Sequence, residues 1–556
     1  MGWFVNEFPK YFVMVIWVGL NLMLFLLTYF QYTDGEKYYY LRYIIKGGLP
    51  VARGAAAMLN FNCMLILLPV CRNLLSFVRE LPFLPHSVGR IMDKNITFHR
   101  NIAYMICFAT ALHICAHVFN IETLVSSWQS KDPVIQYLNH LDDNILNQTR
   151  LNPIRGPELD PIIELLKTVA GVTGVIITIA LIVMVSSSTE LIRRSYFEVF
   201  WFTHHLFVIF FVLLVFHGFG NLVRSQNNVA QSNPEKCIKN FTMCPLPQFS
   251  AKGPETWKWI VGPMFLYLIE RCLRFYRSFE TCEIKKVVKH PSRVVEFQLR
   301  KPGFKASAGQ YIFLHCPSIS PLEWHPFTLT SCPEEDFFSV HIRQAGDWTE
   351  ALAKYCDGNS NQKTVDTSKI PSLAVDGPFG TASTDVFYHE NLMCIGAGIG
   401  ITPFASILKS IWYRHHRGDT TLKIKKVYFY WICPDTNAFE WFSDLLQSLE
   451  DQMTEKGLLD FLEYNIYLTQ GWGKGDVRNI VLHESDSADV ITGLRQKTNY
   501  GRPNWDRIFS NIASSHKGSN IGVFFCGPAV LSHVLHKMSN KYSGDSVRFY
   551  YNKENF

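Results

Sequence analysis

The sequence predicts a multi-domain membrane protein, with a helical transmembrane bundle, then a small β-barrel, then an α/β doubly wound domain. Three observations predict it. Nearly all the long apolar runs fall within the first 280 residues. Short strands with alternating and β-branched residues, separated by Gly and Pro, follow from Cys282 to about Ala382. From Leu392 strands alternate with helices, the signature of a parallel, helix-covered sheet. The limits are placed at 1–280, 281–385 and 386–556. A chain of 556 residues is long enough for two or three domains. Its hydrophobic fraction of 48% is ordinary, so the uneven spread carries the signal.

Six apolar runs are read as spans: Tyr11–Phe30, Ala55–Val78, Ile96–Phe119, Leu165–Val185, Val199–Val223 and Trp257–Phe275. Each approaches the ~20 residues that cross a bilayer. Met1–Lys10 carries no basic cluster and no small-residue cleavage site follows, so the first run is expected to be a retained anchor. Arg72, Arg79, Arg90, Lys94 and Arg100 follow span two, and Arg193 and Arg194 follow span four. Basic loops face the cytoplasm, which puts both termini inside. The external loops then hold two glycosylation sequons, Asn147-Gln148-Thr149 and Asn240-Phe241-Thr242; Asn95-Ile96-Thr97 falls on the inner side. Of 14 cysteines only Cys237 and Cys244 fall in an external loop, so this pair is expected to be bridged and the other 12 reduced. The net charge of +6 is modest and no nucleic-acid motif accompanies it.

His99 and His113 lie 14 residues apart in span three, and His204 and His217 lie 13 apart in span five. A histidine in hydrocarbon is costly unless its ring nitrogens have partners. Both spans start inside, so depth pairs His99 with His204 and His113 with His217. Two such pairs can grip two haems at two depths. The ordinary alternative is polar contacts between helices. At about 100° per residue, 14 residues return to within roughly 40° of the starting face, whereas 13 end roughly 140° away. The second helix must be distorted or tilted, or the haems must not stack in line. His205 and His117 are rival ligands for the same reason. Phe210, midway along span five, stands between the pairs; its ordinary reading is a packing aromatic.

In the soluble half, VVEFQL, QYIFLHC and FFSVHIR read as barrel strands, and Asp357–Ser368 as a polar surface insertion. The turn Gly396-Ala397-Gly398-Ile399-Gly400 follows the apolar strand NLMCI and opens a helix. Glycines let backbone approach a pyrophosphate, and a helix N-terminus favours its charge. The pattern is G-x-G-x-G, short of the full dinucleotide fingerprint, and any tight strand-to-helix turn can need glycines.

Several strings resemble the NADPH oxidase family: HPFTLTS (His325–Ser331), HIRQAGDWT (His341–Thr349), DGPFGTA (Asp376–Ala382), GAGIGITPF (Gly396–Phe404), FFCGP (Phe524–Pro528) and the terminal NKENF. In the membrane half LNFNCMLILLPVCRNLLSF, the four histidines and IRRSYFEVFW also match. The resemblance covers essentially the whole chain and lies close to the phagocyte oxidase heavy chain and its nearest paralogues. It implies a ferredoxin-reductase-like pair of soluble domains and two haem b groups, FAD and NADPH. NADPH gives hydride to FAD in the cytosol, electrons pass singly through the inner and outer haems, and O2 outside becomes superoxide.

By the same resemblance Arg53 and His117 stand beside the outer haem, where Arg53 can stabilise superoxide. Their ordinary readings are a snorkelling arginine and a packed histidine. His325, Pro326, Phe327 and Thr328 line the flavin, with Ser331, His341, Gly346, Trp348 and Thr349 in the same site. Arg343 pairs with the pyrophosphate, a use suited to its planar fork. Gly396, Gly398, Ile399, Gly400, Thr402, Pro403, Thr469, Arg502, Cys526, Gly527 and Pro528 are the nucleotide set. Phe556 stacks on the flavin. A small membrane subunit, cytosolic organisers and a Rac-type GTPase are implied partners, at the plasma membrane or a phagosomal or endosomal membrane.

Three departures qualify this. The loop Leu81–Lys94 holds only Arg90 and Lys94, fewer basic residues than the family often has, which weakens the organiser expectation. No D-x-D-x-D-G calcium loop is present. Pro434 stands where the family commonly has an arginine for the 2′-phosphate, with Asp435 beside it, while Arg502 in GRPNWD matches a second such arginine. NADPH is expected to be preferred over NADH by a reduced margin. A metalloreductase is the rival enzyme; Asp142, Asp143, Glu158 and Asp160 in the loop between spans three and four are the residues it would use. A proton channel leaves the FAD and nucleotide motifs unexplained.

Overall fold

The structure, a computed structural model, describes residues 1–556 except 80, 82, 84–85, 142–148, 155, 157, 221, 291–292, 357–363, 435–439, 456, 458–459, 470–488, 490–491, 493 and 555–556. The chain divides into two compact units. One is Val13–Cys71 with Asn95–Ile269; the other is Met1–Phe12, Arg72–Lys94 and Glu270–Phe556.

The first unit is helical. Five helical stretches are long and apolar enough to cross a membrane: Phe8–Asp34, Gly48–Val70, Asn95–Gln129, Val169–Ser187 and Phe197–Gly220. Within them run helices α1 (Phe8–Asp34), α2 (Gly48–Leu65), α3 (Asn95–Ser126), α4 (Val169–Ser187), α5 (Phe197–His204) and α6 (Phe207–His217). Val15, Leu22, Leu27, Phe108, Ile179 and Ile209 are exposed, the reverse of a water-soluble core and the expected pattern for lipid-facing sides. Polar side chains face inward as glue between helices. Trp17 Nε1 donates to Asn62 Oδ1 at 3.1 Å, and Asn62 Nδ2 donates to Asn21 Oδ1 at 2.5 Å.

Two spans differ from the sequence reading. The second was expected at Ala55–Val78, yet its helix starts at Gly48 and ends at Leu65, with a 3-10 turn at Leu68–Val70. Pro50 suits a first turn and Pro69 cannot continue a helix. Arg72–Arg79 forms a separate helix that belongs to the other unit. The sixth run is a helix, α7 (Thr256–Ser278). It is less apolar than the other five, with Lys258 near its start and Glu270, Arg271, Arg274 and Arg277 toward its end. Its residues to Ile269 belong to the membrane unit.

The segment between α6 and the next long helix carries a short ribbon pairing Arg224–Gln226 with Phe249–Ala251. Cys237 and Cys244 are disulfide-bonded, and the other 12 cysteines are free, as expected.

In the second unit, β1 (Thr281–His290), β2 (Val294–Arg300), β3 (Tyr311–His315), β4 (His325–Thr328), β5 (Phe338–Arg343) and β6 (Leu373–Phe379) form an antiparallel sheet in the order β4-β3-β6-β1-β2-β5. A bridge between Leu329 and Val340 joins its two ends, closing the barrel. Val287, Phe297, Leu314, Val340 and Ile342 fill the interior. Helix α8 (Asp347–Cys356) follows β5.

Beyond it, β7 (Asn391–Ala397), β8 (Lys426–Cys433), β9 (Leu462–Leu468), β10 (Asn499–Tyr500), β11 (Asn520–Cys526) and β12 (Arg548–Lys553) make an all-parallel sheet in the order β10-β9-β8-β7-β11-β12. The core with Phe404 and Phe442 brings α9 (Thr402–His416) and α10 (Glu440–Glu455) to one face. The core with Phe509 and Leu535 brings α11 (Trp505–Ser515) and α12 (Ala529–Tyr542) to the other. This is the doubly wound domain.

The N-terminal residues complete this unit. Asn6 Nδ2 donates to Phe549 O at 3.0 Å, and Tyr551 N donates to Asn6 Oδ1 at 2.9 Å. One amide side chain thereby satisfies two backbone groups on the edge strand β12, which an uncovered edge would leave open.

Candidate functional site

The four histidines form two pairs. The ring centres of His99 and His204 are 6.3 Å apart, and those of His113 and His217 are also 6.3 Å apart. Two metal–nitrogen bonds of roughly 2 Å, plus the half-widths of two rings, span roughly 6 Å. The gaps therefore fit a haem iron between each pair. The second ring nitrogens are already engaged. His99 Nδ1 meets Ile66 O at 2.9 Å and His113 Nδ1 meets Ala52 O at 3.0 Å. His217 Nδ1 lies 3.0 Å from Thr173 Oγ1, and His204 Nδ1 lies 3.3 Å from Ser188 Oγ. Such outer contacts fix tautomer and ring orientation and leave Nε2 as the ligand atom.

The 13-residue spacing now has its explanation. His204 is the last residue of α5, and α6 begins at Phe207. The break resets the helical phase, so both histidines turn to α3. Gly174 makes room for the His113–His217 pair: a Cβ there would lie 3.2 Å from His217 Cε1. The two rival histidines have other partners. His205 Nδ1 meets Trp201 O at 2.7 Å. His117 packs edge-on against His113, ring centres 4.5 Å apart. Phe210 is buried in a cluster with Ile102, Ile106, Ile177 and Leu181, midway between the pairs. Arg53 follows the carbonyl that anchors His113. Its guanidinium lies 5.3 Å from the Tyr32 ring centre and 4.0 Å from Glu255. Among the described residues its buried Nε has no hydrogen-bond partner, as suits a site made to receive an anion.

On the barrel, β4 presents His325, Pro326, Phe327 and Thr328 in register with β3. The rings of His325 and Phe327 lie 4.4 Å and 6.0 Å from Trp348, so these three side chains come together. Trp348 Nε1 is buried without a partner among the described residues. Arg343 ends β5 and is exposed. Ala345 N and Gly346 N both donate to Thr349 Oγ1, which shapes the turn into α8. An exposed guanidinium beside a helix N-terminus suits a pyrophosphate. Ser331 and His341 are held by hydrogen bonds to their neighbours. Ser331 Oγ accepts from Ser339 N at 2.9 Å, and His341 Nδ1 lies 2.9 Å from Thr330 Oγ1.

Apart from Thr469 and Arg502, the expected nucleotide residues lie at the carboxyl ends of β7 and β11, where the strand order reverses. Ligands of open α/β sheets bind at such points. Gly400 has no room for a side chain, since its Cβ would lie 2.4 Å from Cys526 O. Gly527, at φ +156°, would meet Ala397 at 2.8 Å. Gly398, at φ +57°, faces open space. Ile399 lies in the turn, and Thr402 and Pro403 open α9, both buried. Cys526 is buried, and desolvation pushes its thiol well up, so it stays protonated. Pro528 precedes α12. Pro434, Thr469 and Arg502 follow the adjacent strands β8, β9 and β10, and Arg502 is exposed. Phe556, Asp435, Asn147, Asp142 and Asp143 lie outside the described residues, as does 357–363 of the expected insertion. Asp160 caps Pro161–Leu166 by accepting from Ile162 N at 2.7 Å, an ordinary structural use.

One residue was missed in the sequence. Glu554 is buried, its Oε1 accepts from Ser383 N at 2.6 Å, and desolvation raises its carboxyl to about 7. The only signal was its place within NKENF.

Three family profiles match the sequence: the ferric reductase like transmembrane component over residues 53–215, an FAD-binding domain over 279–383, and the ferric reductase NAD binding domain over 389–540. The chain is 48% identical over 569 residues to NADPH oxidase 1 of Mus musculus, covering 100% of this chain and 95% of that protein. It is 49% identical over 568 residues to NADPH oxidase 3 of Homo sapiens, covering 100% and 99%. A superoxide-generating NADPH oxidase heavy chain of Dictyostelium discoideum is 40% identical over 562 residues, covering 100% and 98%. Among solved structures, a ferredoxin NADP+ reductase from Neisseria gonorrhoeae with bound FAD and NADP aligns at 14% identity and TM-score 0.34, covering 49% of this chain and 98% of that one.

Proposed function

This chain belongs to the NADPH oxidase family, and from that premise we propose a residue-level account of its activity. It is a membrane oxidoreductase that carries electrons from NADPH through FAD and two haem b groups to O2, yielding superoxide. Bound flavin would supply the conversion of hydride into single electrons, and haem held between two imidazoles would supply one-electron relay. The observation that supports the account most is the matched 6.3 Å separation of two imidazole pairs whose outer nitrogens are already engaged.

His99 and His204 hold the inner haem, and His113 and His217 the outer. Phe210 packs between the pairs and excludes water. Arg53 and His117 border the outer haem, where the guanidinium stabilises the superoxide anion. His325, Pro326, Phe327, Thr328 and Trp348 shape the flavin site, backed by Ser331 and His341, and Arg343 with the Gly346–Thr349 turn takes its pyrophosphate. Gly396, Gly398, Ile399, Gly400, Thr402, Pro403, Cys526, Gly527 and Pro528 receive the nucleotide's pyrophosphate and nicotinamide. Thr469 and Arg502 reach its adenosine end.

The three-domain division is 1–280, 281–385 and 386–556. Both termini are cytoplasmic, a reading supported by the grouping of Met1–Phe12, Arg72–Lys94 and Glu270–Phe556 in one compact unit. The membrane is the plasma, phagosomal or endosomal membrane. The partners are a small membrane subunit, cytosolic organisers and a Rac-type GTPase. Asn240 is exposed and suits glycosylation.

NADPH-driven oxygen uptake, read with a superoxide-specific probe, tests the account. Arg53→Ala should slow oxygen reduction while haem content stays normal. Preference for a ferric chelate with negligible oxygen uptake would favour a metalloreductase.

A further inference from the structure

On the barrel's outer face, three side chains converge that the electron path does not need together. Val287, Val295, Phe297, Val340 and Ile342 point inward to the core. Alternation then turns Glu296, Gln298 and His341 outward. Glu296 lies between Val288 of β1 and His341 of β5, and His290 is two residues along β1 on the same face. His290 Nε2 lies 3.3 Å from Glu296 Oε2, and His341 Nε2 lies 3.9 Å from the same oxygen. One donor atom from each residue falls within 4.8 Å of the other two.

We propose that His290, Glu296 and His341 form a zinc-binding site on this face. Two imidazoles and one carboxylate are a common zinc set, and a water completes the tetrahedron. Ligands roughly 2.0–2.1 Å from a tetrahedral ion lie roughly 3.3 Å apart. The His290–Glu296 pair already meets that spacing, His341 needs to close on the carboxylate by about half an ångström, and the two imidazoles, whose donor atoms lie within 4.8 Å of each other, need to close by up to about 1.5 Å. The outer contacts that orient metal ligands are also present. Gln298 Nε2 donates to Glu296 Oε1 at 2.9 Å, leaving Oε2 toward the histidines. Thr330 Oγ1 engages His341 Nδ1 at 2.9 Å, leaving Nε2 toward the carboxylate. An ion there would pin three adjacent strands beside Arg343, which shares their outward face opposite Val294.

The test is zinc uptake by the chelator-treated, full-length holoprotein, measured by equilibrium dialysis with radioactive zinc. Wild type should take up one zinc that His290→Ala and Glu296→Gln lose and that the exposed control His533→Ala keeps. Gln298→Ala, which leaves all three ligands, should weaken uptake by about 10–100-fold. Flavin and haem spectra check that each variant is folded. Should a ligand variant not fold, zinc X-ray absorption on wild type decides alone. Two imidazole nitrogens and oxygen at roughly 2.0–2.2 Å support the site. No uptake by wild type, undiminished uptake by folded His290→Ala, or a sulfur-ligated zinc overturns it. No readout depends on oxidase activity.

Discussion

The histidine pairs of the membrane unit and the glycine-lined end of the nucleotide sheet solve opposite problems. The first site is built from side chains that reach out. Each ligand is one ring, held by a contact such as His113 Nδ1 to Ala52 O at 3.0 Å. The second is built from side chains that are missing. At Gly400 a single Cβ would lie 2.4 Å from Cys526 O. Deleting atoms therefore damages the first site, and adding atoms damages the second.

The largest effect should come from the outer contacts of the histidine pairs. Thr173→Val keeps every ligand and removes the hydroxyl 3.0 Å from His217 Nδ1. Haem retention on dilution should fall by about 10–100-fold. Ser188→Ala, at the longer 3.3 Å contact with His204, should cost less. Equal retention in wild type and Thr173→Val would show that backbone carbonyls alone orient the rings.

Next comes Gly400→Ala, which should destabilise the nucleotide domain by about 1–3 kcal/mol through overpacking. NADPH oxidation should fall with it while the haem spectrum is unchanged. Thermal melts with absorption spectra check both. Unaltered NADPH kinetics would show that the turn can open without cost.

Glu554 gives an effect on the order of 2 kcal/mol, visible only against pH. Its ordinary value is 4.5 and burial lifts it to about 7, so the folded state holds the proton more tightly than the unfolded chain. Its contribution is then full below about pH 4.5 and is lost as pH rises to about 7. Glu554→Gln should flatten that part of a melting-temperature profile measured from pH 5 to 8. The same slope in both proteins would remove Glu554 from the account.

The smallest effect concerns nucleotide choice. Pro434→Arg adds one exposed charge near Arg502, worth about 1 kcal/mol or less. The kcat/KM ratio of NADPH to NADH should rise several-fold, and Arg502→Ala should lower it. An unchanged ratio in either variant argues against this end of the sheet as the 2′-phosphate site.

The same contrast explains what the sequence made legible. The glycine turn was readable because only a tight strand-to-helix passage tolerates three glycines in five residues, 396–400. The four histidines were readable as individuals by depth. Their facing was not, because helical phase assumes an unbroken helix and α5 stops at His204. Span two was misplaced by hydropathy, which registers LLSFV after Arg72 as apolar but not the stop at Pro69. Barrel closure through Leu329 and Val340 and the capping of β12 by Asn6 join residues far apart in the chain, which no local pattern marks. Glu554 was hidden because a lone glutamate reads as surface; only the fold buries it against Ser383.

The most direct test of the central claim, two haems held in sequence by two histidine pairs, is anaerobic reduction of the remaining haem in His99→Leu and His113→Leu. Each variant should lose one of the two haems. In His113→Leu, NADPH should still reduce the haem that remains, while superoxide production largely disappears. In His99→Leu, dithionite should reduce the remaining haem and NADPH should not. Two haems with normal spectra in either variant, or equal NADPH reduction in both, would contradict the account.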